Sequence, residues 1–178
     1  VGAMLLAILP KFRFLVASKL RSIESFVVDV DGVLTDGSFS YTTDGKCSKR
    51  FGPEDSDALS LLSDFVRVEV VSADERGFEI SRARVTDMGF ELNYVPSTQR
   101  LEWILENLGD TPCAYMGDSF QDANTLGAVT VGISPQNAHP RAKQRSRLVT
   151  RASGGSGAVA EACGYIARSK NLDLGVRL

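Results

Sequence analysis

Apolar residues in this chain come in short blocks with two alternating rhythms. Phe26-Val27-Val28-Asp29-Val30 is an apolar run broken only by an acid and stopped at Gly32, the pattern of a strand covered on both faces. Similar blocks at Val66–Val71, Phe90–Val95, Cys113–Met116 and Val129–Ile133 predict four more strands. Between them the apolar positions change to helical spacing. Leu59, Leu61, Leu62 and Phe65 mark a short helix over Asp57–Phe65, and Gly77–Met88 reads as a helix closed by Gly89. Leu101, Ile104, Leu105 and Leu108 fall at i, i+3, i+4 and i+7, with Ser97 as the expected cap and Gly109 as the stop. Asp122–Leu126 and Gly157–Ala167 complete the helices. Thr43-Asp44-Gly45 between Ser38–Thr42 and Lys46–Phe51 predicts a β-hairpin. Strands alternating with helices specify βαβ units, hence an α/β fold with a parallel sheet and helices on both faces.

The N-terminus departs from this rhythm. Ala3–Leu9 is apolar, and Pro10, Lys11 and Arg13 follow it. A signal peptide places its charge before the apolar run, and a membrane span needs about 20 apolar residues. The expectation is an amphipathic helix over Pro10–Leu20 that serves packing or assembly, with membrane-surface contact as the alternative. Val1-Gly2-Ala3 ahead of Met4 reads as an expression remnant. The expected division is an extension over 1–22, one catalytic domain over 23–170 and a tail over 171–178.

Charge narrows the function. Twenty Lys+Arg against 22 Asp+Glu in 178 residues exclude a strongly basic nucleic-acid binder and a polyacidic tail protein. The basic stretch Arg141–Arg151 has no interleaved aromatics and reads as a solvated helix face. Cys47, Cys113 and Cys163 form no zinc or disulfide spacing, so they read as small buried side chains in a reducing compartment, the cytoplasm. The lone His139 cannot build a histidine-rich metal site.

The acids sort by strand. Ligands of parallel sheets sit at the carboxyl ends of strands. Asp29 and Asp31 end the first, Ser72 and Asp74 the second, and Asp118 a later one, with Asp122 a helical turn beyond. Asp29 and Asp31, at i and i+2, are expected to point to the same side. Paired carboxylates at one sheet edge repel unless a cation lies between them, and all-oxygen ligands with water positions suit Mg²⁺ rather than zinc. A carboxylate held in this way can attack a phosphoryl group.

Asp29-Val30-Asp31-Gly32-Val33-Leu34-Thr35-Asp36-Gly37 resembles motif I of the haloacid dehalogenase (HAD) superfamily. Its form is similar to the capless branch that hydrolyses 3-deoxy-D-manno-octulosonate 8-phosphate (KDO 8-phosphate), and to the C-terminal module of animal CMP-sialate synthetases. Val70-Val71-Ser72 resembles motif II, and Ala114–Asp122 motif IV; Asn137–Pro140 and Gly154–Val159 are further landmarks. The resemblance covers Phe26 to Ala162. It implies a Rossmann-like fold with a β-hairpin after motif I and no cap domain.

The resemblance also implies a Mg²⁺-dependent sugar-phosphate phosphatase working through an aspartyl-phosphate. Asp29 would be the nucleophile and Asp31 the general acid and base. Mg²⁺ would bind Asp29, the Asp31 backbone carbonyl and Asp118. Ser72, beside Ala73, would hold the phosphoryl group, and Asp122 and Ser119 would support the site. The superfamily's motif III lysine has no counterpart between Ser72 and Asp118; Arg100 stands where it would open a helix and is expected to bind phosphate. Without that lysine the alternative is a weak or inactive module that assembles with or regulates a sugar-activating enzyme. A receiver-type phosphoacceptor domain fits poorly, since its phosphorylated acid would lie on the third strand.

KDO 8-phosphate phosphatases tend to carry Arg where this chain has Glu54 and Ser156, which argues for a related sugar phosphate, either a different nonulosonate (a nonulosonate 9-phosphate) or an uncharged sugar. Lys49, Arg50, Arg76 and Arg151 are candidate replacement cations. The resemblance further implies a homotetramer whose hairpins meet through Phe39, Tyr41 and Phe51, with no nucleic-acid or membrane partner.

Overall fold

The computed structural model describes residues 15–173. The strands are β1 (Ser25–Asp29), β2 (Thr35–Thr42), β3 (Gly45–Phe51), β4 (Arg67–Ser72), β5 (Leu92–Tyr94), β6 (Cys113–Met116), β7 (Val131–Ser134) and β8 (Leu148–Val149). The helices are α1 (15–22), α2 (Glu54–Ser63), α3 (Phe78–Asp87), α4 (Arg100–Leu108), α5 (Ala123–Ala128), α6 (Pro140–Arg145) and α7 (Ala158–Lys170). Six strands form one parallel sheet in the order β5-β4-β1-β6-β7-β8, and β2 and β3 form a separate antiparallel hairpin.

Strand side chains alternate between the two faces, so each apolar run feeds two cores. Phe26 and Val28 pack with Leu59, Leu62, Val85 and Ile166 on one face. Val27, Val71 and Tyr115 pack with Ile104, Leu108, Leu126 and Ala142 on the other. The strands therefore look continuously apolar in sequence because neither face meets water. Among the described residues only the hairpin stands outside the main sheet after motif I, as the resemblance to the capless branch implies.

Several expectations change. Ser97 does not cap α4: Ser97–Gln99 is a single 3₁₀ turn, and α4 opens on Arg100 without a side-chain cap. The buried row of α4 is Arg100, Ile104 and Leu108, while Leu105 is half exposed. The helix is rotated so that Arg100 enters the interior with Ile104 and Leu108, and Leu105 does not. α2 begins at Glu54, three residues before the expected start, because the buried Asp55 accepts a hydrogen bond from the Ala160 N–H at 2.9 Å. The basic stretch is not one helix: α6 ends at Arg145, and Leu148–Val149 adds an edge strand to β7. Cys47 is exposed on the hairpin, whereas Cys113 and Cys163 are buried. Residues 10–14 of the expected N-terminal helix and 174–178 of the tail lie outside the described residues. Among the described residues no helix is long and apolar enough to cross a membrane.

Candidate active site

Register brings the polar residues together. Asp29 pairs with Val71, so Ser72 lies one residue beyond it on the neighbouring strand. Val28 pairs with Met116 on the other side, so Asp118 follows two residues past the pairing. Asp29, Asp31, Ala73, Asp74, Arg100, Asp118 and Ser119 all line one cavity of about 340 Å³ at this edge.

The motif I loop that delivers Asp29 is held by its own threonine. Thr35 Oγ1 accepts hydrogen bonds from the N–H groups of Gly32 (3.0 Å) and Gly37 (3.2 Å) and donates to the Val30 carbonyl. Gly32 adopts φ +78°, and a Cβ there would lie 2.1 Å from Asp118 Oδ2. The glycine thus serves both the turn and the space Asp118 needs.

Asp29 is 6% exposed, and its Oδ1 accepts hydrogen bonds from the Val30 N–H at 2.8 Å and from Arg100 Nη1 at 3.1 Å. Arg100, 1% exposed, also donates from Nε to the Val95 carbonyl (3.0 Å) and from Nη1 to the Tyr115 hydroxyl (2.9 Å). Tyr115 O–H donates to Asp122 Oδ1 at 2.5 Å, and Asp122 Oδ2 accepts from the Ser119 N–H and Oγ at 2.9 and 2.7 Å. One line of hydrogen bonds therefore runs Asp29–Arg100–Tyr115–Asp122–Ser119.

Burial pushes the Asp29 carboxyl up to about 8; Arg100 pulls it down, and the charges of Asp122, Asp118 and Asp31 push it up. Burial, then Asp122, lifts Asp118 to about 7. Burial works against the charge on Arg100, but the anions around it hold it above its ordinary value. Around neutral pH the buried cluster of Asp29, Asp118 and Asp122 thus carries more acid than Arg100 balances.

That imbalance is the condition a metal ion relieves. Carboxylate oxygens of Asp29, Asp118 and Asp122 lie within 4.8 Å of one another, an all-oxygen set that fits a hard divalent cation. Both oxygens of Asp122 are already committed to Tyr115 and Ser119, so it serves as a brace for the other two. The Asp31 carboxylate turns elsewhere. Its Oδ1 meets Lys49 Nζ at 2.7 Å, and its Oδ2 accepts from Ser72 Oγ at 3.0 Å. Asp29 and Asp31 line the same cavity, although β1 ends at Asp29 and Asp31 lies in the loop beyond it.

Of the four candidate replacement cations, Lys49 has a side chain 1% exposed beside Asp31, whereas Arg50 and Arg151 stay exposed. Arg76 donates to the Tyr41 hydroxyl. Tyr115 escaped the sequence reading because it sits in an apolar strand. A hydroxyl at a position buried on both faces must find a partner, and that was the available signal. Asn137 links two landmarks: its Nδ2 donates to the Gly32 carbonyl, and its Oδ1 accepts from the Gly154 N–H.

No family model matches the chain. It is 32% identical over 155 residues to the 3-deoxy-D-manno-octulosonate 8-phosphate phosphatase KdsC of Escherichia coli K12, covering 83% of this chain and 81% of that protein. The chain belongs to the KDO 8-phosphate phosphatase family. Solved structures place that family within the HAD superfamily. A HAD superfamily (subfamily III A) protein of Legionella pneumophila superposes with TM-score 0.84 at 26% identity, covering 93% of each chain. The KDO 8-phosphate phosphatase of Moraxella catarrhalis, solved with magnesium, phosphate and KDO, gives 0.78 at 27% identity over 87% of this chain and 91% of that one.

Proposed function

We propose that the protein is a Mg²⁺-dependent phosphomonoester hydrolase acting on a sugar phosphate through an aspartyl-phosphate on Asp29. The observation that carries this reading is the buried guanidinium of Arg100 at 3.1 Å from Asp29 Oδ1. It supplies the cation whose absence from motif III favoured an inactive module.

Asp29 and Asp118 would hold the magnesium ion, as would the Asp31 backbone carbonyl. When bound, the ion supplies positive charge against the phosphoryl oxygens and keeps both carboxylates ionised. Arg100 and Val30 N–H fix Asp29 through Oδ1, which leaves Oδ2 to attack phosphorus. As the bond from phosphorus to the sugar oxygen breaks, Asp31 gives that oxygen its proton. Asp31 then takes a proton from water as water attacks the aspartyl-phosphate; the bond to Asp29 breaks and inorganic phosphate leaves. Ser72 Oγ and the chain at Ala73 would hold the transferring phosphoryl group, whose charge spreads over its oxygens in the transition state. Asp122 and Ser119 would keep Arg100 and its surroundings in place.

Among the residues lining the cavity, Arg100 is the only cation and already has three partners. A sugar without a carboxylate fits this lining better than KDO. The test is phosphate release from p-nitrophenyl phosphate and a panel of sugar phosphates including KDO 8-phosphate, with and without Mg²⁺. Turnover should require Mg²⁺, favour uncharged sugars and vanish in Asp29→Asn. Turnover in that variant would exclude the mechanism.

The site is open, and a homotetramer would close it. Phe39 and Tyr41, 55% and 52% exposed on the hairpin, support such an assembly, while Phe51 packs on its own core. Light scattering should give four times the chain mass, and Phe39→Ser with Tyr41→Ser should give the monomer.

A further inference from the structure

The hairpin sends two lysines into the molecule. Lys49 Nζ lies 2.7 Å from Asp31 Oδ1, 2.8 Å from Asp74 Oδ2 and 2.7 Å from Ser81 Oγ, so its three N–H donors all have partners. Lys46 Nζ lies 2.5 Å from the same Asp74 oxygen and 4.2 Å from the centre of the Phe39 ring. Room for both stems comes from Gly77, where a Cβ would stand 2.3 Å from Asp74 Oδ2 and 2.7 Å from both Lys46 Cδ and Lys49 Cε. A surface lysine needs no such slot. Here a buried ammonium is fully coordinated, and one of its partners is a carboxylate that is 37% exposed to the cavity side.

We propose that Lys49 is a positioning residue that holds Asp31 in place to hand its proton to the departing sugar oxygen. This rests on the phosphatase reading above, in which Asp31 is the general acid. Lys49 has no donor left for the phosphoryl group, so it acts only through Asp31: it holds Oδ1, while Oδ2 carries the proton once Ser72 Oγ turns to the phosphoryl group. Without it, Ser72 alone would orient that carboxylate, and Ser72 Oγ is also needed by phosphate. Asp74 is the second anchor: burial works against its charge, but Lys46 and Lys49 outweigh this and hold its carboxyl below the ordinary value.

The decisive measurement separates leaving groups. A sugar oxygen must be protonated as it leaves, whereas p-nitrophenolate departs without help. The value of kcat/KM reports events up to the first bond cleavage, so it isolates this proton transfer. Lys49→Gln should lower kcat/KM for the best sugar phosphate by about 10²-fold, within the usual range for general acid catalysis, and change that for p-nitrophenyl phosphate by less than about 5-fold. The ratio of the two within one preparation is unaffected by any unfolded fraction. Gly77→Ala, which keeps the charge but crowds both lysine stems, should move the ratio the same way. Equal losses on both substrates, or an unchanged ratio in both variants, would overturn the inference. A wild-type protein inactive on every phosphate ester would overturn the phosphatase reading itself.

Discussion

Arg100 and Tyr115 show how one hydroxyl holds a catalytic edge together. The Tyr115 oxygen accepts from Arg100 and donates to Asp122, so it joins a cation to an anion that are not otherwise bonded. All three side chains are buried, and the tyrosine's own ionisation is pushed far up, chiefly by burial. Tyr115→Phe leaves Asp122 Oδ1 without a donor and Arg100 with one acceptor fewer. Such a loss inside a protein costs about 1–3 kcal/mol, so denaturant unfolding should move by that amount. Because Arg100 would be less well fixed on Asp29, kcat should fall more than KM rises. Unchanged stability and unchanged kcat would mean that the hydroxyl is idle. Asp29, Ser72, Asp118 and Arg100 stand out in the sequence because a charge or hydroxyl at a strand end or helix start interrupts an apolar pattern. Tyr115 interrupts nothing, and Lys49 looks like any hairpin lysine. Tyr115 depends on Arg100, 15 residues before it, and on Asp122, 7 residues after it, and Lys49 on Asp31, 18 residues before it, pairings that no local pattern encodes.

At the scale of elements, the glycine-rich segment ahead of α7 is a clamp on motif I. Gly155 N–H donates to the Val33 carbonyl at 3.1 Å, and Gly154 N–H is tied through Asn137 to Gly32. A Cβ on Gly154 would lie 2.0 Å from the Gly32 carbonyl oxygen, which is backbone and cannot swing aside. Gly154→Ala must therefore push the loop bearing Asp29 and Asp31 out of place. The expected cost is about 1–3 kcal/mol or more, as for other overpacked sites. Phosphatase activity should fall with it, and thermal melts beside the phosphate assay would check both. A stable, fully active Gly154→Ala protein would show that the clamp is slack. Strands β1 to β7 and the hairpin turn are readable from periodicity and Asp-Gly, whereas the two-residue edge strand β8 is not. Element ends are less so, because they are set by tertiary contacts. Asp55 starts α2 early by reaching the amide of Ala160, 105 residues later. The buried row of α4 begins with Arg100 because Asp29 and Tyr115 hold that side chain inside.

For the molecule as a whole, the acidic edge couples folding to pH and to metal. Asp29 and Asp118 ordinarily ionise near 3.8 and here do so near 8 and 7. Between those limits the folded protein holds protons that the unfolded chain has released. Stability therefore falls as pH rises through this window, since it increases with pH only where the unfolded state binds more protons. The contribution of these two groups is least unfavourable below about pH 4 and most unfavourable above about pH 8. A divalent cation that binds only the folded, deprotonated carboxylates opposes this loss, by an amount that grows with its concentration relative to its dissociation constant. Protons and metal compete for the same oxygens, so the gain must rise with pH. Melting in chelator should show a lower Tm at about pH 8 than at about pH 6, and added Mg²⁺ should raise Tm much more at the higher pH. In Asp29→Asn the fall with pH should shrink, because a group that cannot ionise no longer contributes to it. A chelator profile that is flat or rising over that interval, with an equal Mg²⁺ gain at both ends, would mean that Asp29 and Asp118 are ionised without metal. The edge would then be balanced by Arg100 alone.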